Sequence, residues 1–130
     1  YEVLIIGAGP AGMTAAIFAA RAGYKTAILE HGVPGGQAAT TDMIENYPGF
    51  PEGISAGTDD ENFFEQTQTF GVELIYEQVQ SLELTGDIKR VITDKQTIEA
   101  KTVVIASGAK PRTLGVANEG RLRGRGVSYC

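Results

Sequence analysis

The chain has one cysteine, one histidine and no long apolar run, and each scarcity removes a class of function. With Cys130 alone, no internal disulfide framework can form, and the sparse thiol content fits a reducing, cytoplasmic setting. No stretch approaches the ~20 apolar residues of a membrane helix, and no segment has the layout of a signal peptide. No membrane partner is therefore expected. Tyr1 lies directly inside an apolar run, so any native leader is expected to have been trimmed. Basic residues are also in deficit, 11 Lys and Arg against 16 Asp and Glu, for a formal net charge of −5. A nucleic-acid surface needs a basic face, and Arg121, Arg123 and Arg125 stand apart among glycines, so no nucleic acid is expected to bind. His31 has no evident acid partner and is read as solvated or brushing a ligand, not as a general base. Asp59-Asp60-Glu61 suits a helix N-terminus. Its carboxylates would point different ways around a first turn, so no metal site is expected.

Glycine, by contrast, is abundant: 17 of 130 residues, well above the usual ~7%. The glycines cluster at 7–12, 32–36 and 120–126 without a repeat, the pattern of tight turns and close backbone approaches. Around them the order of elements is readable. Val3-Leu4-Ile5-Ile6 is a continuous apolar run, as in a strand buried on both faces of a parallel sheet. Pro10 to Ala22 reads as a helix with proline in its first turn and Gly23 as its stop. Its buried stripe is expected to be Ala11, Ala15, Phe18, Ala19 and Ala22. Lys25 to Glu30 is a second strand, which completes a βαβ unit.

His31 to Ala56 reads as a loop, and one this long is uncommon unless functional. Thr58-Asp59-Asp60-Glu61 has capping-box spacing for a helix reaching Phe70 and stopped by Gly71. Phe63, Phe64 and Phe70 are expected in its core face. Val72 to Ile75 is expected as a third parallel strand. A small antiparallel meander follows (Val79–Leu84, Lys89–Thr93, Thr97–Ala100), with Gly86-Asp87 as a turn. Thr102 to Ala106 is a last buried strand, and Ala117 to Gly126 resembles a linker. The expected fold is an α/β, three-layer Rossmann-like domain, incomplete, with a parallel sheet and a small antiparallel meander.

Gly7-Ala8-Gly9-Pro10-Ala11-Gly12 is G-x-G-x-x-G between an expected strand and an expected helix, which is the context the motif requires. Gly7 would allow the tight turn, Gly9 the approach of a pyrophosphate, and Gly12 the close packing of helix on strand. The helix N-terminus would supply oriented N–H groups for the phosphates. Glu30 ends the second strand 23 residues after Gly7, where an acceptor for a ribose hydroxyl pair is expected. A carboxylate there repels a 2′-phosphate, so the adenosine of FAD or NAD is favoured over that of NADP. The fingerprint alone leaves FAD and NAD open.

Residues outside the fingerprint carry a resemblance. V-L-I-I-G-A-G-P-A-G-M-T-A-A resembles the opening of flavoproteins with two dinucleotide-binding domains. Gly35-Gly36-Gln37 and Ile44-Glu45-Asn46-Tyr47-Pro48-Gly49 are similar to the bacterial-type thioredoxin reductase family, as is Ile105-Ala106-Ser107-Gly108-Ala109. The closing Arg121-Leu122-Arg123-Gly124-Arg125-Gly126-Val127-Ser128-Tyr129-Cys130 resembles that family's approach to its C-x-x-C redox pair. Ser107 stands where the family usually has Thr, which keeps the hydroxyl, and Ala117-Asn118 stands where Pro or Gly is commoner.

The resemblance implies FAD bound in an extended conformation. Gly7, Gly9, Pro10, Ala11 and Gly12 would face the pyrophosphate and Glu30, with His31 beside it, the adenosine ribose. Gly35, Gly36, Gln37, Thr41 and Asn46 would lie along the ribityl chain or the isoalloxazine ring. Val79 would offer backbone groups to the adenine, and Ala106, Ser107 and Gly108 would line the cofactor. Amides such as Gln37 and Asn46 can hydrogen-bond flavin atoms in either redox state, or equally satisfy their own loop. The implied division is an FAD-binding part over 1–116, then a hinge and the start of an NADPH-binding redox domain over 117–130.

Cys130 would be the first redox cysteine, with its partner beyond the chain. The resemblance further implies transfer of electrons from NADPH through FAD and the disulfide to thioredoxin or a thioredoxin-like protein, in a homodimer. This segment alone is expected to hold FAD weakly and to be inactive, since it has no second fingerprint for NADPH. The alternatives are a ferredoxin- or hydroperoxide-linked reductase of the same architecture, a non-catalytic FAD-binding module, and an NAD-binding dehydrogenase domain.

Overall fold

The run Val3-Leu4-Ile5-Ile6 forms the central strand β1 (Val3–Ile6), and alternation along it explains why every position is apolar. A computed structural model describes residues 1–129 of the chain, with the side chains of 56–60 outside the description. Leu4 turns to one face of the sheet and Ile5 to the other, and both are completely buried. Strand β2 (Thr26–Glu30) repeats the arrangement: Ala27 and Leu29 join Leu4, while Ile28 joins Ile5. Burying such a side chain fully contributes about 1.5–3 kcal/mol, so polar residues are confined to the two ends of β2, where buried Thr26 donates its hydroxyl to Tyr24 O at 2.9 Å and Glu30 closes the strand.

Helix α1 (Pro10–Arg21) links these strands, and α2 (Ala56–Thr69) leads into β5 (Glu73–Tyr76). Between β2 and α2 lie a single turn of 3₁₀ helix at Ala38–Thr40 and the two-residue strands β3 (Met43–Ile44) and β4 (Ile54–Ser55). Strands β3 and β4 pair antiparallel, so the long loop closes on itself. Strands β6 (Val79–Glu83), β7 (Lys89–Thr93) and β8 (Thr97–Ala100) form the antiparallel meander, and β9 (Thr102–Ile105) returns to the main sheet. The four parallel strands stand in the order β5-β2-β1-β9.

Val91, Ile98 and Ala100 of the meander cover one face of the sheet. Met13 and Ala16 of α1, with Phe63 and Phe64 of α2, cover the other. This is the expected three-layer α/β arrangement.

Three local expectations are corrected. The fully buried face of α1 is Gly12, Met13 and Ala16; of the expected stripe Ala15 packs half-buried against this core, whereas Ala11 and Ala22 are exposed and Phe18 is 68% exposed. The helix is apolar nearly all round, so periodicity left its phase undecided, and the close contact of Gly12 with the preceding turn fixes it. Phe70 is exposed because it is the C-cap residue of α2, past the last turn, where the guanidinium of Arg21 lies 5.9 Å from its ring centroid. Helix α2 begins at Ala56, two positions before Thr58. The side chains of Thr58, Asp59 and Asp60 in the proposed capping box lie outside the described residues.

The chain beyond Ala117 is not extended. Helix α3 (Glu119–Leu122) is followed by a tight reversal, with Arg125 N–H and Val127 N–H both donating to the Leu122 carbonyl at 2.8 and 3.0 Å.

Candidate dinucleotide site

Strands β2 and β5 lie on one side of β1 and β9 on the other, so the chain changes direction across the sheet between β1 and β9. Ligands of open α/β sheets sit outside the carboxyl ends of the strands at such a switch point. The fingerprint occupies this position. Gly7 N–H donates to Leu29 O at 2.8 Å, and Ala106 N–H to Ile6 O at 2.9 Å, so the turn leaves β1 tightly flanked by the ends of β2 and β9.

The three fingerprint glycines are needed for different reasons. Gly7 has φ +104°, and a Cβ there would lie 2.4 Å from Ala106 O. A Cβ on Gly12 would lie 1.9 Å from Gly7 O. Both are demanded by the fold itself. Gly9 is not: its backbone is extended (φ −79°, ψ 178°), and a Cβ would meet only the Cα of Gly36, at an ordinary 3.9 Å. Gly9 is also the N-cap of α1, and no side chain caps that end. The first-turn N–H groups of a helix have no intrahelical partner and carry partial positive charge. The segment Gly35-Gly36 passes close by, with Gly35 N–H donating to Ala8 O at 2.8 Å. Backbone from two loops thus flanks an uncapped helix end.

Glu30, at the carboxyl end of β2, has a side chain only 12% exposed. Its Oε2 accepts from Ala8 N–H at 2.9 Å. Its Oε1 accepts from His31 N–H at 2.9 Å and Gly32 N–H at 2.8 Å. Burial pushes the carboxyl pKa up, but the N–H groups of Ala8, Gly32 and His31 outweigh it and hold the group below its ordinary range. The His31 ring, largely exposed, places Nδ1 3.3 Å from Oε1. A carboxylate offers about four acceptor directions, so Oε2, with a single bond from Ala8, retains capacity for a hydroxyl donor.

The remaining candidates are distributed around this centre. The Gln37 side-chain amide donates to Ala109 O, which joins the loop after β2 to the segment after β9. Ala106 is half-buried against the helix-side core, and Ser107 and Gly108 are exposed beside it. Thr41 and Asn46 are exposed on either side of β3. Beyond Asn46, Tyr47 stacks on Phe50 with ring centroids 5.8 Å apart and meets Phe63 edge-on at 6.0 Å, which fixes that stretch of loop to α2. Val79 begins β6 with its side chain against the meander-side core. Cys130 lies outside the described residues.

Two residues that the fingerprint does not specify also build the site. Ala8 is buried and uses both its N–H and its carbonyl here. Glu77 donates its N–H to Glu30 O at 3.0 Å, while its carboxylate accepts from Thr93 Oγ1 at 2.6 Å and Gln96 Nε2 at 2.7 Å. It thereby ties the meander to the sheet end that carries Glu30. The only sequence signal for Glu77 was its position directly after a strand.

A separate groove, lined by Tyr1, Glu73, Glu77, Gln96 and Glu99, opens between β5 and β8, and its carboxylates disfavour a diphosphate. Among the described residues no group of three or more His, Cys, Asp or Glu side chains could hold a metal, and no helix is long and apolar enough to cross a membrane.

Comparison with known proteins agrees with this geometry. The pyridine nucleotide-disulphide oxidoreductase family matches residues 1–130. The thioredoxin reductase of Bacillus subtilis is 45% identical over 139 residues, an alignment covering all of this chain and 41% of that protein. The crystal structure of thioredoxin reductase from Streptococcus pyogenes superposes with a TM-score of 0.89 at 52% identity, covering all of this chain and 42% of that one. That of Lactococcus lactis thioredoxin reductase gives 0.89 at 46% identity, covering all of this chain and 43% of that one. The chain therefore spans about two fifths of the length of these relatives. With this fold and this match along its whole length, the chain belongs to the pyridine nucleotide-disulphide oxidoreductase family.

Proposed function

We propose that the chain is the FAD-binding part of a flavoprotein disulfide reductase whose whole protein reduces thioredoxin, or a thioredoxin-like protein, with NADPH. The observation that carries the dinucleotide reading is Gly9. Neither backbone conformation nor packing demands glycine there, and a Cβ would project beside the uncapped end of α1, where a pyrophosphate needs close access. Family membership and the thioredoxin reductase relatives support FAD as the dinucleotide.

In this reading Gly9, Pro10, Ala11 and Gly12 present helix N-terminal backbone to the pyrophosphate, with Gly7 forming the turn beneath them. Oε2 of Glu30 accepts from a ribose hydroxyl. Because its other oxygen is held by His31 and Gly32 N–H, the carboxylate is oriented before the ligand arrives. Gly35, Gly36 and Gln37, with Thr41 and Asn46 further along the loop, provide backbone and amide groups for the ribityl chain and ring. Ala106, Ser107 and Gly108 close the other side, and Val79 offers its backbone to the adenine. Bound FAD supplies two-electron redox chemistry between a hydride donor and a disulfide. Cys130, with a second cysteine in the whole protein, carries the disulfide that is reduced. In the net reaction NADPH and a proton reduce one disulfide to two thiols, leaving NADP⁺.

The test is turnover by the full-length protein: loss of NADPH absorbance on addition of oxidised thioredoxin, abolished by Cys130→Ser. Turnover that persists in Cys130→Ser, or that requires reduced ferredoxin in place of NADPH, contradicts the proposal.

A further inference from the structure

Residues 114–129, which include the stretch Ala117 to Gly126 that composition presents as a linker, are stapled into one unit by Glu119. One oxygen of its carboxylate accepts from Gly115 N–H at 2.8 Å. The other accepts from Leu114 N–H at 3.0 Å and from the hydroxyl of Tyr129. Leu114 N–H also reaches the Tyr129 oxygen at 3.2 Å. A single side chain in a four-residue helix therefore joins the strand-exit segment before it to the residue ten positions after it. So short a helix does not persist on its own propensity.

The return path is closed as well. Gly124 N–H donates to Val127 O at 2.9 Å, and Arg123 and Val127 form an isolated bridge. The Arg123 guanidinium lies 5.5 Å from the Tyr129 ring centroid, holding that ring from a second direction.

We infer that Glu119 is a positioning residue for Cys130: by fixing Tyr129, to which Cys130 is bonded, it sets where the thiol-bearing chain leaves the FAD-binding fold. The inference rests on the proposed role of Cys130 in disulfide reduction. Its physical basis is that reacting groups must be held within a fraction of an ångström, and a displacement of about 1 Å can cost 100-fold in rate. Glu119 and Tyr129 act through one contact, so removing either loses the same restraint. Glu119→Gln keeps one acceptor oxygen but turns an NH₂ group towards N–H or O–H donors. Tyr129→Phe removes only the hydroxyl.

The test uses the full-length protein carrying Glu119→Gln, Tyr129→Phe or both. The first readout is the rate at which iodoacetamide alkylates Cys130 in the reduced protein, followed by peptide mass mapping. The second compares NADPH-dependent turnover with thioredoxin, which needs the cysteines, and with ferricyanide, which takes electrons from the flavin without them. The expected result is several-fold faster alkylation in each single variant and no further gain in the double variant. Thioredoxin turnover should fall about tenfold while ferricyanide turnover is unchanged. Alkylation at the wild-type rate in both single variants overturns the inference. So does a fall in ferricyanide turnover as large as that with thioredoxin, the mark of a general folding defect. If the wild-type protein reduces ferricyanide but no thioredoxin, the proposed function fails, while the alkylation rates still decide the role of Glu119.

Discussion

The backbone N–H of Ala8 donates to Oε2 of Glu30 at 2.9 Å, so the turn after β1 and the end of β2 share one carboxylate. This bond couples the fingerprint turn to the carboxylate that ends β2. Two further donors on Oε1, from His31 and Gly32, leave the carboxylate ionised and oriented.

The coupling makes stability depend on pH in a definite direction. Burial raises the Glu30 pKa, the three N–H donors lower it more, and the folded value lies below the unfolded one. The stabilisation is therefore complete above the ordinary carboxylate range and is lost as pH falls through the lowered folded value. Glu30→Gln, which sets an amide among N–H donors, should cost about 1–3 kcal/mol at neutral pH. Urea denaturation of both proteins across the acid range checks this: the gap between them should narrow only below the usual carboxylate pKa. A gap that widens in acid contradicts the assignment.

The fingerprint glycines should separate into structural and ligand-facing positions. Gly12→Ala drives a Cβ into Gly7 O and should destabilise by about 3 kcal/mol, the upper end for overpacking. Gly7→Ala clashes with Ala106 O in a left-handed conformation and should also be severe. Gly9→Ala should cost no more than about 1 kcal/mol, the loss of a glycine N-cap, yet weaken FAD binding by more than about tenfold, or ~1.4 kcal/mol. Thermal unfolding without ligand, set beside flavin titration, distinguishes the two kinds of glycine.

The corrected face of α1 predicts an asymmetry between two neighbouring apolar residues. Met13 is 1% exposed and Phe18 is 68% exposed. Met13→Ala should cost about 2–5 kcal/mol, whereas Phe18→Ala should stay within about 0.5 kcal/mol. Equal losses in urea denaturation would return Phe18 to the core.

That asymmetry marks where the sequence was legible and where it was not. Val3–Ile6 and the Ala27–Leu29 centre of β2 could be recognised because a strand covered on both faces is apolar along its interior, and the glycine spacing placed the turn between β1 and α1. The phase of α1 was hidden because its faces are nearly equally apolar, and the Gly12–Gly7 contact decided it. The pair β3–β4 was too short to show a period. Glu77 and Glu119 were invisible for another reason: each looks like a solvated surface carboxylate until the fold brings Gln96 and Thr93, or Tyr129, to it.

The account stands on FAD occupying the site built around Gly9 and Glu30, and the most direct measurement is the visible absorption spectrum of the purified full-length protein, with chromatography of the released chromophore. The prediction is a flavin spectrum and one FAD per chain, with FAD content reduced in Gly9→Ala while the protein remains folded. A colourless wild-type protein that takes up no added FAD but binds NAD would contradict it.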